Sequence, residues 1–125
     1  MEAITEHHAV LVVEDEAILR TCAVAMLEDA GHLVLEAQNS EEALEILADH
    51  DEIGIVVTDV RMPGHMSGLD LVAKIQKERP LIRSIVVSGN ATPREAFNSG
   101  ASAFVQKPYS RTAIVDAVSD TLRLN

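Results

Sequence analysis

Cysteine is nearly missing from this chain. Cys22 is its single representative, so no intramolecular disulfide can form and no cysteine metal cluster can be built. Nothing in the sequence calls for an oxidising compartment, and a cytoplasmic location is the expectation. Basic residues are also scarce, with 10 Lys and Arg against 20 Asp and Glu and a formal net charge of −10. Broad electrostatic binding to nucleic acid or to anionic lipid needs a cationic footprint, so neither is expected as a direct partner. No apolar stretch approaches the roughly 20 residues of a membrane span. The opening residues, Met1 to Glu6, lack the basic start and apolar run of a signal peptide. No internal repeat, low-complexity tract or Pro/Gly/Ser-rich linker interrupts the sequence. Its 125 residues suit a single domain over residues 1–125, with a core over about 9–123 and no room for a DNA-binding output domain.

Hydrophobic residues make up 47% of the chain, and their arrangement is an alternation of short apolar runs with helical patterns. The runs are Ala9–Val13, Leu33–Leu35, Ile53–Val57, Ile85–Val87 and Ala103–Val105. They are continuous and rich in β-branched residues, as expected of parallel strands covered on both faces. Between them, Glu16–Ala30 reads as a helix with Ile18, Leu19, Cys22, Met26, Leu27 and Ala30 turned inward and Gly31 as its left-handed end. Ser40 is the expected N-cap of the next helix, with Glu41 and Glu42 in its first turn and Leu44, Leu47 and Ala48 inside. A third helix spans about Gly68–Glu78, burying Leu71, Val72 and Ile75 before Pro80. A short fourth fits Pro93–Asn98 and ends at Gly100. The fifth starts from a Ser110 N-cap and buries Ile114, Val115, Val118 and Leu122. Five strands alternating with five helices predict an α/β, flavodoxin-like doubly wound parallel sheet with strand order 2-1-3-4-5.

In such a sheet, ligands bind beyond the carboxyl ends of the strands, where the strand order reverses. The residues leaving the strands there are Glu14 and Asp15, Asp59, Ser88 and Lys107. Three crowded carboxylates repel one another unless a cation sits among them. Oxygen-only ligands with open water positions suit Mg²⁺, and no His/Cys pairing has zinc spacing. His7, His8 and His65 are scattered and read as solvated side chains.

Leu11-Val12-Val13-Glu14-Asp15-Glu16, Thr58-Asp59-Val60-Arg61-Met62-Pro63-Gly64, Ser88-Gly89 and Gln106-Lys107-Pro108-Tyr109 resemble the receiver domain of bacterial two-component response regulators. The resemblance covers roughly Val10 to Leu122, with the motifs in order on the expected strand ends. It implies that Asp59 accepts a phosphoryl group from a sensor histidine kinase or a phosphotransfer protein and later loses it slowly. Glu14, Asp15 and Asp59, with the backbone carbonyl of Arg61, would hold Mg²⁺. Lys107 and the ion would stabilise phosphoryl oxygens, and Ser88 would bond the group once transferred. Phe104 would follow as the switch aromatic, and the Lys107–Pro108 peptide would be cis. Arg61 and Asn90, two residues beyond Asp59 and Ser88, would tune water access. The output would be contact with a downstream protein, from a monomer or a phosphorylation-dependent dimer.

Several positions depart from the family's pattern. Glu14 stands where Asp is more frequent, and Phe104 lacks the hydroxyl of the more frequent Tyr. The loop Met62–Gly68 is one residue longer than usual. The stretch from Ser88 to Gly100 is about three residues short, so the fourth helix is expected to be short or remodelled, with order and disorder of Asn90–Ser99 as a candidate switching element. Two other classes of function compete: a receiver-like interaction domain that does not switch, or a phosphate shuttle or sink in a relay. A flavin or nucleotide binder is disfavoured, because Glu-Asp-Glu follows the first strand where a Gly-rich phosphate cradle would be needed.

Overall fold

The computed structural model describes residues 8–123, so Met1–Glu6 and His7 lie outside the described residues. The elements, in chain order, are β1 (Ala9–Val13), α1 (Ala17–Asp29), β2 (Val34–Ala37), α2 (Ser40–Asp49), β3 (Ile53–Asp59), α3 (Gly68–Glu78), β4 (Arg83–Ser88), α4 (Pro93–Ser99), β5 (Ala103–Gln106) and α5 (Arg111–Leu122). All neighbouring strands are parallel, in the order β2-β1-β3-β4-β5. This is the doubly wound, flavodoxin-like architecture expected from the sequence.

Alternation along each strand divides the core between two faces. Leu11, Val13 and Val56 meet Ala43 and Leu47 of α2 and Leu71 and Ile75 of α3. Val10, Val12, Ile55, Val57, Ile85 and Val87 meet Ala23 and Leu27 of α1 and Ile114 and Val118 of α5. A smaller cluster of Val72, Val86, Ala96 and Ala101 seats α4, with Phe104 partly buried against it. No helix among the described residues is long and apolar enough to cross a membrane.

The helices follow local chemistry, with three corrections to the sequence expectation. Asn39, not Ser40, caps α2: its extended backbone lets the side-chain oxygen accept the Glu42 N–H at 2.7 Å. Ser40 is buried instead and donates its hydroxyl to the Ser67 carbonyl at 3.3 Å. The inner face of α1 is also different. Ala23 and Leu27 are its buried residues, whereas Cys22 and Ala30 are exposed, Leu19 is 40% exposed and Ile18 is 78% exposed. Ala48 of α2 likewise faces solvent.

The short α4 is a regular, well-capped helix. Thr92 and Glu95 form a reciprocal capping box, Pro93 occupies the first turn and Gly100 closes the end in the left-handed region at φ 109°.

Candidate functional site

The site forms where β1, β3, β4 and β5 end on one rim. β1 delivers Glu14, which is 6% exposed, and the turn into α1 delivers the exposed Asp15. β3 ends on the half-buried Asp59, β4 ends on the buried Ser88, and Lys107 follows β5. The Lys107 N–H donates to the Ser88 carbonyl at 3.0 Å, which locks the last two strand ends together.

Lys107 closes the cluster. Its ammonium donates to Glu14 Oε1 at 2.9 Å and to Asp59 Oδ2 at 2.8 Å, with its side chain only 22% exposed. The remaining oxygens are also engaged: Asp59 Oδ1 accepts the Val60 N–H at 2.7 Å, and Glu14 Oε2 accepts the Glu16 N–H at 3.1 Å. Burial pushes the Glu14 carboxyl above its ordinary range, and the charge of Asp59 adds to that push. Hydrogen bonds from Lys107 and the Glu16 N–H only partly restrain it. Burial pulls Lys107 down, but hydrogen bonds and charge from Asp59 and Glu14 together overcome it, so its pKa is raised. Both partners therefore shift upward for different reasons. Lys107 stays an ammonium, and burial opposes ionisation of Glu14.

Glu14, Asp15 and Asp59 each offer an oxygen within 4.8 Å of the other two, a grouping that can hold a metal ion. The donor set is all oxygen and strongly anionic, which fits a hard divalent cation and offers nothing to a soft one.

Phe104 pairs with Val86 in the sheet, and Gln106 pairs with Ser88. Residues two apart on a strand share a face, so Phe104 lies on the side of the sheet to which Ser88 belongs. The Ser88 hydroxyl accepts the N–H groups of Asn90 and Ala91 at 3.1 and 2.9 Å, so it anchors the loop leading to α4. Arg61 and Asn90 are both exposed beside these strand ends. The Lys107–Pro108 peptide is cis.

Two contributors escape a reading of motifs. Gly68 opens α3 directly against the backbone of Asp59: a β-carbon there would lie 1.7 Å from the Asp59 carbonyl oxygen. The Gly68 N–H donates to the Val60 carbonyl at 2.8 Å, so this contact fixes the backbone on both sides of the Asp59–Val60 peptide. The signal was a glycine at the first position of a helix, where close approach rather than backbone freedom requires it. Arg20 is the second. It donates to the Glu14 carbonyl at 2.8 Å and to Glu36 Oε1 at 2.9 Å, and no motif marks it.

Residues 10–119 match the response regulator receiver domain family. The chain is 40% identical over 117 residues to part of the sensor kinase CckA of Brucella abortus, with 90% of the chain and 12% of that protein aligned. It is 30% identical over 118 residues to a chemotaxis protein CheY homolog of Campylobacter jejuni, covering 90% of each. The chain spans only 12% to 23% of the length of the first curated relatives it matches. A response regulator receiver protein from Pseudomonas putida superposes with a TM-score of 0.83 at 31% identity, over 94% of this chain and 99% of that one. With the acidic cluster, Lys107 and Ser88 on the strand ends of a 2-1-3-4-5 sheet, and a family match across nearly all of the sequence, the chain belongs to the receiver domains of two-component response regulators.

Proposed function

We propose that this receiver domain is a phosphorylation-dependent signalling switch, and that Asp59 takes the phosphoryl group from the phosphohistidine of a sensor histidine kinase or phosphotransfer protein. The observation that carries the reading is the single ammonium of Lys107 bonded to both Glu14 and Asp59, at 2.9 and 2.8 Å, inside a three-carboxylate cluster. Such a cluster is costly for the fold alone and is suited to gathering the charges of a phosphoryl group.

Asp59 acts as an anion and needs no general base. Its Oδ1 is held by the Val60 N–H, which leaves Oδ2, the oxygen facing Lys107, as the nucleophile. Oδ2 attacks phosphorus in line. The P–N bond breaks, its electron pair returns to the imidazole nitrogen, and an acyl phosphate forms on Asp59. Glu14, Asp15, Asp59 and the Arg61 carbonyl would hold Mg²⁺. When bound, Mg²⁺ supplies charge neutralisation for the transferred oxygens. Lys107 then turns from the carboxylate to a phosphoryl oxygen. Ser88 donates its hydroxyl to a phosphoryl oxygen while its own oxygen still holds the Asn90 and Ala91 N–H groups, drawing that loop inward, and Phe104 repacks behind it. Water later attacks phosphorus slowly and restores the free carboxylate, with Arg61 and Asn90 at the rim controlling its entry.

Beside Lys107, Leu19, Cys22 and Met26 of α1 and the Pro108–Tyr109 turn line an apolar groove, a surface suited to contact with the phosphodonor protein. The phosphorylated domain signals by protein contact, as a monomer or a phosphorylation-dependent dimer, in the cytoplasm. A relay role, passing or draining phosphoryl groups, is the second reading, supported by the likeness to part of a sensor kinase.

Beryllofluoride, a phosphoryl mimic, tests the assignment. Its bound ¹⁹F resonances should appear only with Mg²⁺ and vanish in Asp15→Ala. Binding that is indifferent to both would overturn the reading.

A further inference from the structure

We propose that Arg20 is a positioning residue that sets the Glu14–Asp15 turn for divalent-metal binding. This rests on the reading of Glu14, Asp15 and Asp59 as metal ligands. Arg20 lies in the first turn of α1, and its side chain is only 15% exposed. Its guanidinium spans three elements, donating from Nη1 to the Glu14 carbonyl at 2.8 Å and from Nε to Glu36 of β2 at 2.9 Å.

The turn needs that grip. The sheet ladder between β1 and β2 ends at Val13 and Ala37, followed by one more bond from the Glu14 N–H to the Ala37 carbonyl. The α1 N-cap, Glu16, makes no side-chain capping bond. The carbonyl of the peptide joining Glu14 to Asp15 lies beyond the last strand bond and before the helix, and Arg20 supplies its donor. Asp15 is exposed, so its place beside Glu14 and Asp59 depends on the orientation of that peptide. Only a forked, planar donor reaches the carbonyl and Glu36 together, which a lysine cannot reproduce.

Charge and geometry make opposite predictions here. As a bare positive charge near three carboxylates, Arg20 would oppose a dication, and its removal would tighten metal binding. As a positioning residue, its removal weakens binding, because groups that orient metal ligands are worth about 10–100-fold in affinity.

The test is calorimetric titration of the full chain, stripped of metal, with Mg²⁺ alone. Arg20→Ala is expected to bind Mg²⁺ about tenfold more weakly. Arg20→Lys, which keeps the charge and loses the fork, should also be weakened. In metal-free protein the amides of Asp15 and Glu16 should exchange faster in Arg20→Ala than in the parent. Unchanged or tighter Mg²⁺ binding in Arg20→Ala overturns the proposal, whatever its melting temperature; if that variant fails to fold, the same result in Arg20→Lys does so. Unchanged Mg²⁺ binding in Asp15→Ala would instead overturn the metal-site reading on which the proposal stands.

Discussion

Replacing Gly68 with alanine would put a methyl carbon 1.7 Å from the Asp59 carbonyl oxygen and 2.7 Å from its carbonyl carbon. A carbon and a carbonyl oxygen come no closer than about 3.3 Å even in weak hydrogen bonds, so the two must part by roughly 1.6 Å. Neither atom can rotate away, because both are fixed to backbone. The start of α3 must therefore lift from β3, which breaks the 2.8 Å bond from the Gly68 N–H to the Val60 carbonyl. Overpacking of this kind costs about 1–3 kcal/mol and a lost buried hydrogen bond about 1 kcal/mol more. Alanine's better helix propensity returns at most about 1 kcal/mol, leaving a net loss of roughly 1–3 kcal/mol. For a chain of this size that corresponds to a drop of very roughly 10 °C in Tm. Displacement of Asp59 should also slow its phosphorylation by about 100-fold, the scale of a 1 Å misplacement of reacting groups. Gly31 is the matched control: its φ is 98° with nothing within 4 Å of an added β-carbon. Gly31→Ala should cost about 1–2 kcal/mol of backbone strain and leave the phosphorylation rate alone. Urea unfolding and acetyl phosphate labelling measure both quantities. A Gly68→Ala protein within 0.5 kcal/mol of the parent (roughly the range of an inert surface change) and labelled at the parent rate would refute the argument.

Lys107→Met should lose about 1–3 kcal/mol in metal-free buffer, because Glu14 and Asp59 are left facing each other without their shared donor. Equal urea midpoints for the two proteins would contradict this. Burial lowers the pKa of His32 below its ordinary 6.5, so the unfolded chain binds that proton more readily than the fold does. The His32 contribution is complete above about pH 6.5 and is lost as pH falls through that value toward the lower folded pKa. His32→Gln should therefore show a flatter stability profile across that window, and an identical slope would rule the histidine out. Amide hydrogen exchange with and without beryllofluoride should show changed protection over Asn90–Ser99, since Ser88 anchors the start of that loop through the Asn90 and Ala91 N–H groups and draws it along when its O–H turns to a phosphoryl oxygen. Equal protection in the two states would send the switch through another face.

The strands were the most legible part of the sequence, because runs such as Ala9–Val13 and Ile53–Val57 are buried on both sides and need no alternation. With short crossovers and right-handed connections, their number and spacing led to the observed strand order. The face of α1 was not legible. Ala17, Ile18, Leu19, Cys22, Ala23, Val24, Ala25, Met26 and Leu27 surround the helix with apolar groups, so no single stripe stands out. The large residues chosen as core, Ile18 and Leu19, lie outside, and small Ala23 makes the close contact. Asn39 and Ser40 are adjacent residues of equal capping ability, and only backbone conformation separates them. The chemical groups on the strand ends were readable because topology alone gathers them. Arg20 and Gly68 were not, since their roles depend on where α1 and α3 sit against β1 and β3.

Whether Asp59 is the phosphoacceptor can be read from intact mass after incubation with acetyl phosphate and Mg²⁺. The parent protein should gain the mass of one acid-labile phosphoryl group, and Asp59→Asn should gain none. A gain of the same size persisting in Asp59→Asn would contradict the account.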